Sequence, residues 1–449
     1  MVSGILPVTA SSLTQKIVLF FNTLKQNAEL WMNYFFVLYM FFLPVAGPYN
    51  NIFFIILLLF LIRGDVWFHI KRSLQNKVVL SFALIFAISV IWTIGSDDTA
   101  RAILNIKRFK VLLYPIIFYS FIRPEFVAKM LGGFMLGMVI SELISYSIFF
   151  ELINSPKHFG SPHDPTPFYH HTHYGLLLAF TAGLLLYRAI AYHDNMWARM
   201  VMFLFFTTIT INIFITGGRM GYILYAMTMF SILLMHRTHI IKTLLITITV
   251  TLTVFFLAYH FSPSFQKRYY STQQGFEKLD RLNRFQSSFG TRLGLDYYSI
   301  PVIKEHWLFG VGTGDHMPAV YAEIKKAHVY QDQFLKNIHF LHNAHFTILV
   351  QFGLIGFLFW LNSYYQIIRH KQENPFLRTV LTLSVITLLF FSLFDTMFKA
   401  QMAIIFSAIV TVALVNLNGR NLNHVEFTKK EILFYLLGVP AMYFIAAVS

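Results

Sequence analysis

The chain of 449 residues has no cysteine, and only 12% of its residues are charged, against roughly 25% in a typical soluble domain. The missing cysteines exclude disulfides, thiolate metal sites and cysteine nucleophiles. Acidic residues are scarce as well, 20 against 35 Lys and Arg, which gives a formal net charge of +15. The chain also lacks a Walker loop, a dinucleotide fingerprint and a Ser-His-Asp set in a supporting context. These absences argue against a soluble nucleotide-dependent enzyme.

Apolar sequence is what the chain has in excess, with 56% hydrophobic residues and 50 phenylalanines. Repeated apolar runs of about 17–25 residues are each long enough to cross a bilayer. The sequence therefore predicts an all-α integral membrane protein with about twelve transmembrane helices and one long periplasmic loop. The predicted spans are 31–46, 50–62, 78–94, 109–122, 130–153, 174–192, 199–216, 219–235, 241–260, 345–368, 378–394 and 399–416; the segment 432–447 is either a thirteenth span or a surface helix.

Three regions follow from this pattern. Residues 1–260 are expected to hold transmembrane helices with short loops, and no cleavable signal peptide is expected at the start. Residues 261–344 are expected to form a periplasmic loop with short helices. Residues 345–449 are expected to hold the last transmembrane helices and a cytoplasmic or interfacial tail.

Lys and Arg recur in alternate short loops, which sets the orientation of a membrane protein. Placing these loops inside puts the N-terminus in the cytoplasm and the loop 261–341 outside. The positive net charge is then explained by the basic loops on the cytoplasmic side, so no nucleic-acid partner is expected. A smaller set of basic residues remains outside, where each either snorkels or contributes to an anion site, and the anion site is favoured. These residues are Arg101, Lys107, Arg108, Arg219, Lys267, Arg268, Arg281, Arg284 and Arg292.

Two of these arginines stand at positions typical of substrate binding. Arg219 follows Gly217 and Gly218 in a tight break between two spans, where its planar guanidinium suits bidentate contact with pyrophosphate. A plain headgroup contact is the alternative. Arg292 either binds substrate or pairs with Asp296 four residues later on a surface helix. Lys107 and Arg108 are candidates for the same anion or ordinary interfacial anchors.

The most informative stretch runs from residue 285 to 356. It places Arg292 before an amphipathic segment and then the turn LFGVGTG, which contains Gly310, Gly312 and Gly314. His342-Asn343 follows, and nine further residues lead to Gly353-Leu-Ile-Gly356 inside an apolar helix. A histidine at this point of re-entry is either a polar cap or a base, and an imidazole near neutral pH can accept a proton from a sugar hydroxyl. Asn343 orients the loop or binds substrate.

Arg292, the LFGVGTG turn and the His-Asn to Gly-x-x-Gly spacing resemble the O-antigen ligase and polymerase superfamily of membrane glycosyltransferases. The close resemblance covers about seventy residues, with a looser similarity of hydropathy over most of the chain. In this chain Phe357-Leu358 follow Gly356, where ligases often carry Thr-Thr, so ligase and polymerase both stay open.

The resemblance implies an O-antigen ligase in the bacterial inner membrane, with its active site facing the periplasm. It would transfer a glycan from undecaprenyl pyrophosphate to a sugar hydroxyl of the lipid A core, inverting the anomeric centre without metal or cofactor. His342 would be catalytic, and Arg219, Arg292, Arg108, Lys107 and Asn343 would bind substrate. The alternatives are an O-antigen polymerase, a protein O-oligosaccharyltransferase, or a transporter of an organic anion or polyprenyl lipid.

Two clusters contain side chains of the types that bind metal ions. The Pro-rich segment with His163, His170, His171 and His173 offers imidazoles, but no recognised zinc motif fits its spacing. Asp97-Asp98 is similar to acidic pairs that bind metals, yet the neighbouring Arg101 favours local charge pairing. No metal site is predicted from either cluster.

Overall fold

In a computed structural model the described residues are 9–156, 160–191, 196–236, 240–282, 285, 288–327, 338, 340–396, 401–420, 422 and 427–448. Helices dominate them, and the β-contact among them is an isolated bridge between Ser161 and Asp164. The helices, in chain order, are α1 Thr9–Val45, α2 Tyr49–Arg63, α3 Val66–Leu74, α4 Lys77–Ile91, α5 Thr99–Phe109, α6 Tyr114–Tyr119, α7 Pro124–Phe149, α8 His171–Ala191, α9 Met196–Ile215, α10 Arg219–His236, α11 Ile240–Phe261, α12 Pro263–Leu282, α13 Ser288–Glu305, α14 His316–Lys326, α15 Ala344–Arg369, α16 Pro375–Phe391, α17 Gln401–Ala413 and α18 Lys429–Val448.

Seven of the described helices are long and apolar enough to cross a membrane. The number rises to eight if α2 and α3, which meet at a bend of 111°, form one span. Three shorter apolar helices, α10, α16 and α17, add to the bundle. The prediction of an all-α, multi-pass membrane protein is thus confirmed for the described residues, and that of about twelve spans is not.

The predicted span at 109–122 is broken into short pieces. After α5 the chain makes a 3₁₀ turn over Lys110–Leu113 and then the six-residue helix α6. Pro115 lies at the start of α6, where its missing N–H costs nothing, but a helix continuing through it from α5 would lose a hydrogen bond. Six residues rise about 9 Å, far less than the roughly 30 Å of a hydrocarbon core. This segment therefore does not form one transmembrane helix.

The loops of the bundle gather at two opposite ends. At the first, the backbone N–H of Ala344 donates to the carbonyl of Ser392 at 2.8 Å, and Ser262 Oγ donates to the carbonyl of Phe214 at 2.8 Å. We call it the loop end; it comprises residues 92–98, 151–156, 160–170, 216–218, 392–396 and the described part of 262–343. At the opposite end, Gln372 Nε2 donates to the carbonyl of Ala413 at 2.7 Å. The partition into two ends agrees with the alternation of basic loops along the sequence.

The region after α12 folds into a small core of its own. Side chains of α13, α14 and the first turns of α15 pack together there, among them Leu295, Val302, Val320 and Val350, which are all buried. α13 and α14 lie over the loop end of the bundle, and we call them the cap.

A backbone crossing fixes this cap on the membrane helices. Gly353 interrupts α15 with φ 61° and ψ −161°, and Gly310 in the LFGVGTG turn has φ 70°. A Cβ on Gly353 would lie 2.4 Å from the backbone of Leu308, and one on Gly310 would lie 2.4 Å from the backbone of Gln351. The crossing therefore requires glycine on both sides, because any side chain would separate the two backbones.

Hydrogen bonds across this crossing join the turn to the helix. The N–H of Val311 donates to the carbonyl of Val350 at 2.9 Å, and that of Leu354 donates to the carbonyl of Trp307 at 2.8 Å. Gly314 donates to Gln351 Oε1 at 2.8 Å. The glycine spacing of the sequence motif thus matches this backbone crossing, and Gly353 lies about three turns after His342.

The last helix, α18, covers the predicted segment 432–447 and packs on α1. Phe434 contacts the rings of Trp31 and Tyr34 at centroid distances of 5.8 and 5.6 Å. Glu431 pairs with Lys129 at 2.6 Å. α18 is therefore attached to the bundle near the end opposite the loop end.

Candidate active site

His342 lies at the loop end, directly before the cap of α15. Its Nδ1 is 3.4 Å from Oδ1 of Asp395, close enough for an ion pair but not aligned for a hydrogen bond, and Nδ1 has no other partner among the described residues. The ring packs edge-on against Phe340 at 4.9 Å between centroids. About a fifth of the side chain stays accessible, so the imidazole is held on one edge and open on another.

Asp395 is the buried carboxylate beside His342 at the loop end. It follows α16, and its side chain is only 6% exposed. Oδ1 accepts from the N–H of Thr396 at 2.8 Å, and Oδ2 lies 3.9 Å from Nε2 of His173 at the start of α8. One buried carboxylate therefore faces two histidines from different segments of the chain. Burying it without such neighbours would cost several kcal/mol.

Arg292 reaches the same place from α13. Its Nε donates to the carbonyl of Phe394 at 2.9 Å, and Asp395 is the carboxylate whose charge acts on it. Asp296, the alternative partner predicted from the sequence, instead accepts from Asn343 Nδ2 at 3.1 Å. Burial raises the pKa of Asp296 to about 6, although the bond from Asn343 opposes the rise. Arg292 thus faces the His342–Asp395 pair.

Arg219 stands one helix away, as the first residue of α10. Its Nη1 donates to Thr272 Oγ1 on α12 at 2.9 Å. The guanidinium groups of Arg268 and Arg292 are close enough to repel its charge. The two predicted arginines therefore belong to one electrostatic group, with Arg268 as a third member.

Arg268 lies against the tight break that precedes α10. A Cβ on Gly217 would lie 2.8 Å from its guanidinium, so the glycine makes room for the arginine. Nη2 of Arg268 is 3.6 Å from Oδ2 of Asp164, and the N–H of Gly217 donates to Oδ1 of Asp164 at 3.0 Å. The glycines of this break thus turn the chain and also leave the space that the Arg268 side chain occupies.

Asp164 also meets the histidine segment. His171 Nδ1 lies 2.9 Å from its Oδ2. Burial disfavours the charged form of Asp164, but the contacts with His171, Gly217 and Arg268 outweigh it, so its pKa is lowered. Burial, together with the charges of His171 and His173, lowers the pKa of His170 to about 4, which keeps His170 neutral near pH 7. No three of the described His, Asp and Glu side chains form a group suited to a metal ion.

Arg108 and Lys107 lie on α5, at the edge of this arrangement. Arg108 lines a small cavity together with His316, Phe340, Gln351 and Thr396. His316 is fully buried, and burial, assisted by the charge of Arg108, lowers its pKa to about 3. The Lys107 side chain is exposed, and its ammonium makes no hydrogen bond or ion pair within the described part of the chain. The structure thus brings Arg108 near Phe340 and Thr396, the neighbours of His342 and Asp395, and leaves Lys107 apart.

Asn343 caps α15. Its Oδ1 accepts from the N–H of Phe346 at 3.1 Å while its Nδ2 bonds Asp296. Both ends of the amide are thus used inside the protein, which favours the orienting role over direct substrate contact. Asp98 caps α5 and pairs with Arg101 at 2.8 Å, as the local reading of the Asp-Asp pair predicts.

Two further histidines, His339 and His345, lie three residues to either side of His342 in the sequence. His345 is buried, with Nδ1 accepting from Trp360 Nε1 at 3.2 Å. His339 lies outside the described residues.

Sequence reasoning missed Asp395 and Asp164 as members of the site, and it included Arg268 only within the wider set of basic residues favoured for an anion site. Asp395 had a readable signal, since it is the only acidic residue between Glu373 and Glu426 and follows an apolar helix. Intramembrane or boundary carboxylates of this kind are functional candidates by default. Asp164 had no comparable signal for this role, because it meets Arg268 only through folding.

Comparison with known proteins relates part of the chain to one family. Residues 200–361 match the family model described as O-antigen ligase. This stretch contains Arg219, Arg268, Arg292, His342 and the glycine crossing, whereas Asp164 and Asp395 lie outside it. No curated protein matches the chain. Over residues 200–361, the chain is thus similar to the O-antigen ligase family, which supports its placement in that superfamily.

Proposed function

We propose that this protein is an O-antigen ligase that transfers a glycan from undecaprenyl pyrophosphate to a sugar hydroxyl of the lipid A core. The observation that carries the proposal is the meeting of His342 and Asp395 with Arg219, Arg268 and Arg292 at one end of a membrane bundle. A base and an excess of fixed cations are what such a transfer requires. The O-antigen ligase domain supports a lipid-linked glycan and a membrane lipid as substrates.

The three arginines would bind the pyrophosphate of the donor. Their positive charges outnumber the two carboxylates beside them, Asp164 and Asp395, so the group attracts an anion. Guanidinium forks match phosphate oxygens with paired hydrogen bonds. As the glycan leaves, negative charge grows on the pyrophosphate oxygen, and donors fixed beforehand stabilise that charge without reorganising.

His342 would activate the acceptor. With the Asp395 carboxylate 3.4 Å from Nδ1, the tautomer protonated at Nδ1 is favoured, and the lone pair of Nε2 is available to a sugar hydroxyl. The hydroxyl oxygen bonds to the anomeric carbon, its proton passes to Nε2, and the bond from that carbon to the pyrophosphate oxygen breaks. The departing undecaprenyl pyrophosphate keeps the electron pair. One displacement of this kind inverts the anomeric centre and uses no metal.

The site would face the periplasm of the bacterial inner membrane, with the N-terminus in the cytoplasm. The basic loops of the opposite end support this orientation through the positive-inside rule. Donor and acceptor would then meet in the outer leaflet, above the membrane helices and under the cap of α13 and α14.

Lipopolysaccharide gels of a deletion strain test this proposal. A ligase predicts that all polymer disappears from the lipid A core and returns with the wild-type gene, but not with His342→Ala. Retention of a single repeat on the core would identify a polymerase instead. An unchanged profile would contradict both and leave protein O-glycosylation or transport.

A further inference from the structure

A second polar cavity opens at the end of the bundle opposite the active site. It is a cleft of about 620 Å³, within the range of small-molecule sites. Residues of α1, α2, α3 and α6, of the segments around Asn76 and Arg123, and of the loop after α17 converge on it. Its lining includes Glu29, Arg63, Arg72, Gln75, Asn76, Tyr119, Arg123, Asn416 and Asn418.

Three arginines and a single carboxylate line this cleft. Glu29 accepts from Arg123 Nε at 2.6 Å and pairs with Arg63 on its other oxygen. Arg63 also donates to the carbonyl of Ser120 at 3.1 Å. Arg72 is exposed, and its guanidinium has no hydrogen bond or ion pair with any described residue. Two arginines are therefore fixed by one glutamate, while the third remains available and the lining keeps an excess of positive charge.

The carboxamides of the cleft offer donors as well. Asn76 uses its oxygen to cap α4, accepting from the N–H of Val78 at 2.9 Å. Asn416 uses its oxygen to accept from the N–H of Asn418 at 2.9 Å. In both residues the NH₂ group is left without a described partner in the cleft. Fixed guanidinium and amide donors together match anionic and hydroxyl oxygens.

We propose that this cleft binds a phosphate ester that carries hydroxyl groups, of the glycerol phosphate type. Arg72 and the outer edges of Arg63 and Arg123 would hold the phosphate, and the amides of Asn76 and Asn416 would bond the hydroxyl oxygens. The ligand is either the headgroup of an anionic membrane lipid or a soluble phosphate ester. The site is separate from the pyrophosphate group at the loop end and does not depend on the proposed transfer.

The experiment uses the full-length protein in nanodiscs of neutral phosphatidylcholine. One arm titrates glycerol phosphate and measures binding by calorimetry. The other exchanges phosphatidylglycerol into the lipid and counts, by native mass spectrometry, the lipids that stay bound. Arg72→Gln is compared with Lys71→Gln, which removes the same charge from the same helix but contacts the ring of Trp67 instead of the cleft.

Saturable binding in either arm, weakened about tenfold or more by Arg72→Gln and unchanged by Lys71→Gln, supports the proposal. Binding of soluble glycerol phosphate identifies a soluble ligand, and retention of phosphatidylglycerol alone identifies a lipid headgroup. The proposal is overturned if neither probe binds, or if both variants weaken binding equally, since general surface charge then explains the effect.

Discussion

At the scale of single residues, the proposed chemistry depends on a histidine and a carboxylate that come from distant parts of the chain. His342 precedes α15 and Asp395 follows α16, and their side chains lie 3.4 Å apart. In the proposed mechanism the carboxylate favours the tautomer protonated at Nδ1, so that Nε2 stays free for the acceptor. The arginines would act separately on the donor.

The first prediction concerns this pair. His342→Ala should insert normally yet reduce transfer by roughly 100-fold to 10,000-fold, because the general base is lost. His342→Gln should be nearly as inactive, since glutamine cannot take up the proton. Asp395→Asn should lower transfer by about 10-fold to 100-fold, as outer partners of an active histidine do. Initial rates with purified donor and acceptor measure these effects.

His345→Ala provides the control. Its side chain is buried and bonded to Trp360, so the change should lower stability while the rate per folded molecule stays close to wild type. An active His342→Gln variant would contradict obligatory proton transfer by this residue.

The arginines give a second prediction, which separates charge from shape. Arg219→Ala or Arg292→Ala should reduce transfer at least about tenfold, because losing a charged hydrogen bond at a buried site costs on the order of 2–5 kcal/mol. Lysine at either position should restore only part, since it keeps the charge without the planar fork. Arg378→Ala, an exposed arginine at the opposite end, is the matched control. Full activity in both alanine variants at equal expression would refute the pyrophosphate role.

Asp296 gives a prediction that depends on pH. Its pKa is raised by burial from 3.8 to about 6, so the cost of burying its charge is present above pH 6 and fades as pH falls through that value. Asp296→Asn removes the charge and keeps an acceptor for Asn343. The variant should therefore melt several degrees above wild type at about pH 8 and match it at about pH 4. Thermal unfolding at both pH values measures the difference, and a constant offset would assign the effect to packing.

At the scale of elements, the cap over the active site depends on a contact between two backbones. The turn at 308–314 crosses α15 where Gly353 breaks the helix, and Val311 and Leu354 bond across the crossing. Because His342 and Arg292 approach the site from the two segments joined by this crossing, its geometry sets their separation.

Gly353→Ala tests the crossing. The added Cβ would meet the backbone of Leu308 at 2.4 Å, so the turn must move away and transfer should fall at least about tenfold, as misplacement of catalytic groups by about 1 Å does. Gly419→Ala is the control, because Gly419 also has positive φ, at 81°, but no neighbour within 4 Å. Equal losses in the two variants would attribute the effect to backbone strain alone. Activity and thermal midpoint should be measured together.

At the scale of the whole molecule, the loops separate into two ends with different chemistry. The loop end holds the proposed active site, and the opposite end holds the basic loops and the cleft around Arg72. Reporter fusions near residues 70, 125, 195, 238 and 372 should therefore report cytoplasm, and fusions near 160 and 300 should report periplasm. A cytoplasmic signal at 300 would remove the site from its proposed substrates.

The sequence by itself determined the fold class, because uninterrupted apolar runs satisfy their backbone only as helices in a bilayer. It also offered His342, Arg219 and Arg292 as candidate site residues, because their positions near glycines and span ends are local features of the sequence. It overestimated the continuity of 109–122, where hydropathy alone does not register the cost of Pro115 within a helix.

Only the tertiary structure decided which groups act together. Asp395, Asp164 and Arg268 join the site from separate segments, and their partners are fixed by packing between helices rather than by spacing along the chain. The same holds for the bond from Asn343 to Asp296, which exists only when α13 lies beside α15. The local sequence shows which residues have ionisable side chains near a span end. The packing of helices then decides which of these side chains come within 3–4 Å of one another, in surroundings where their charges interact strongly.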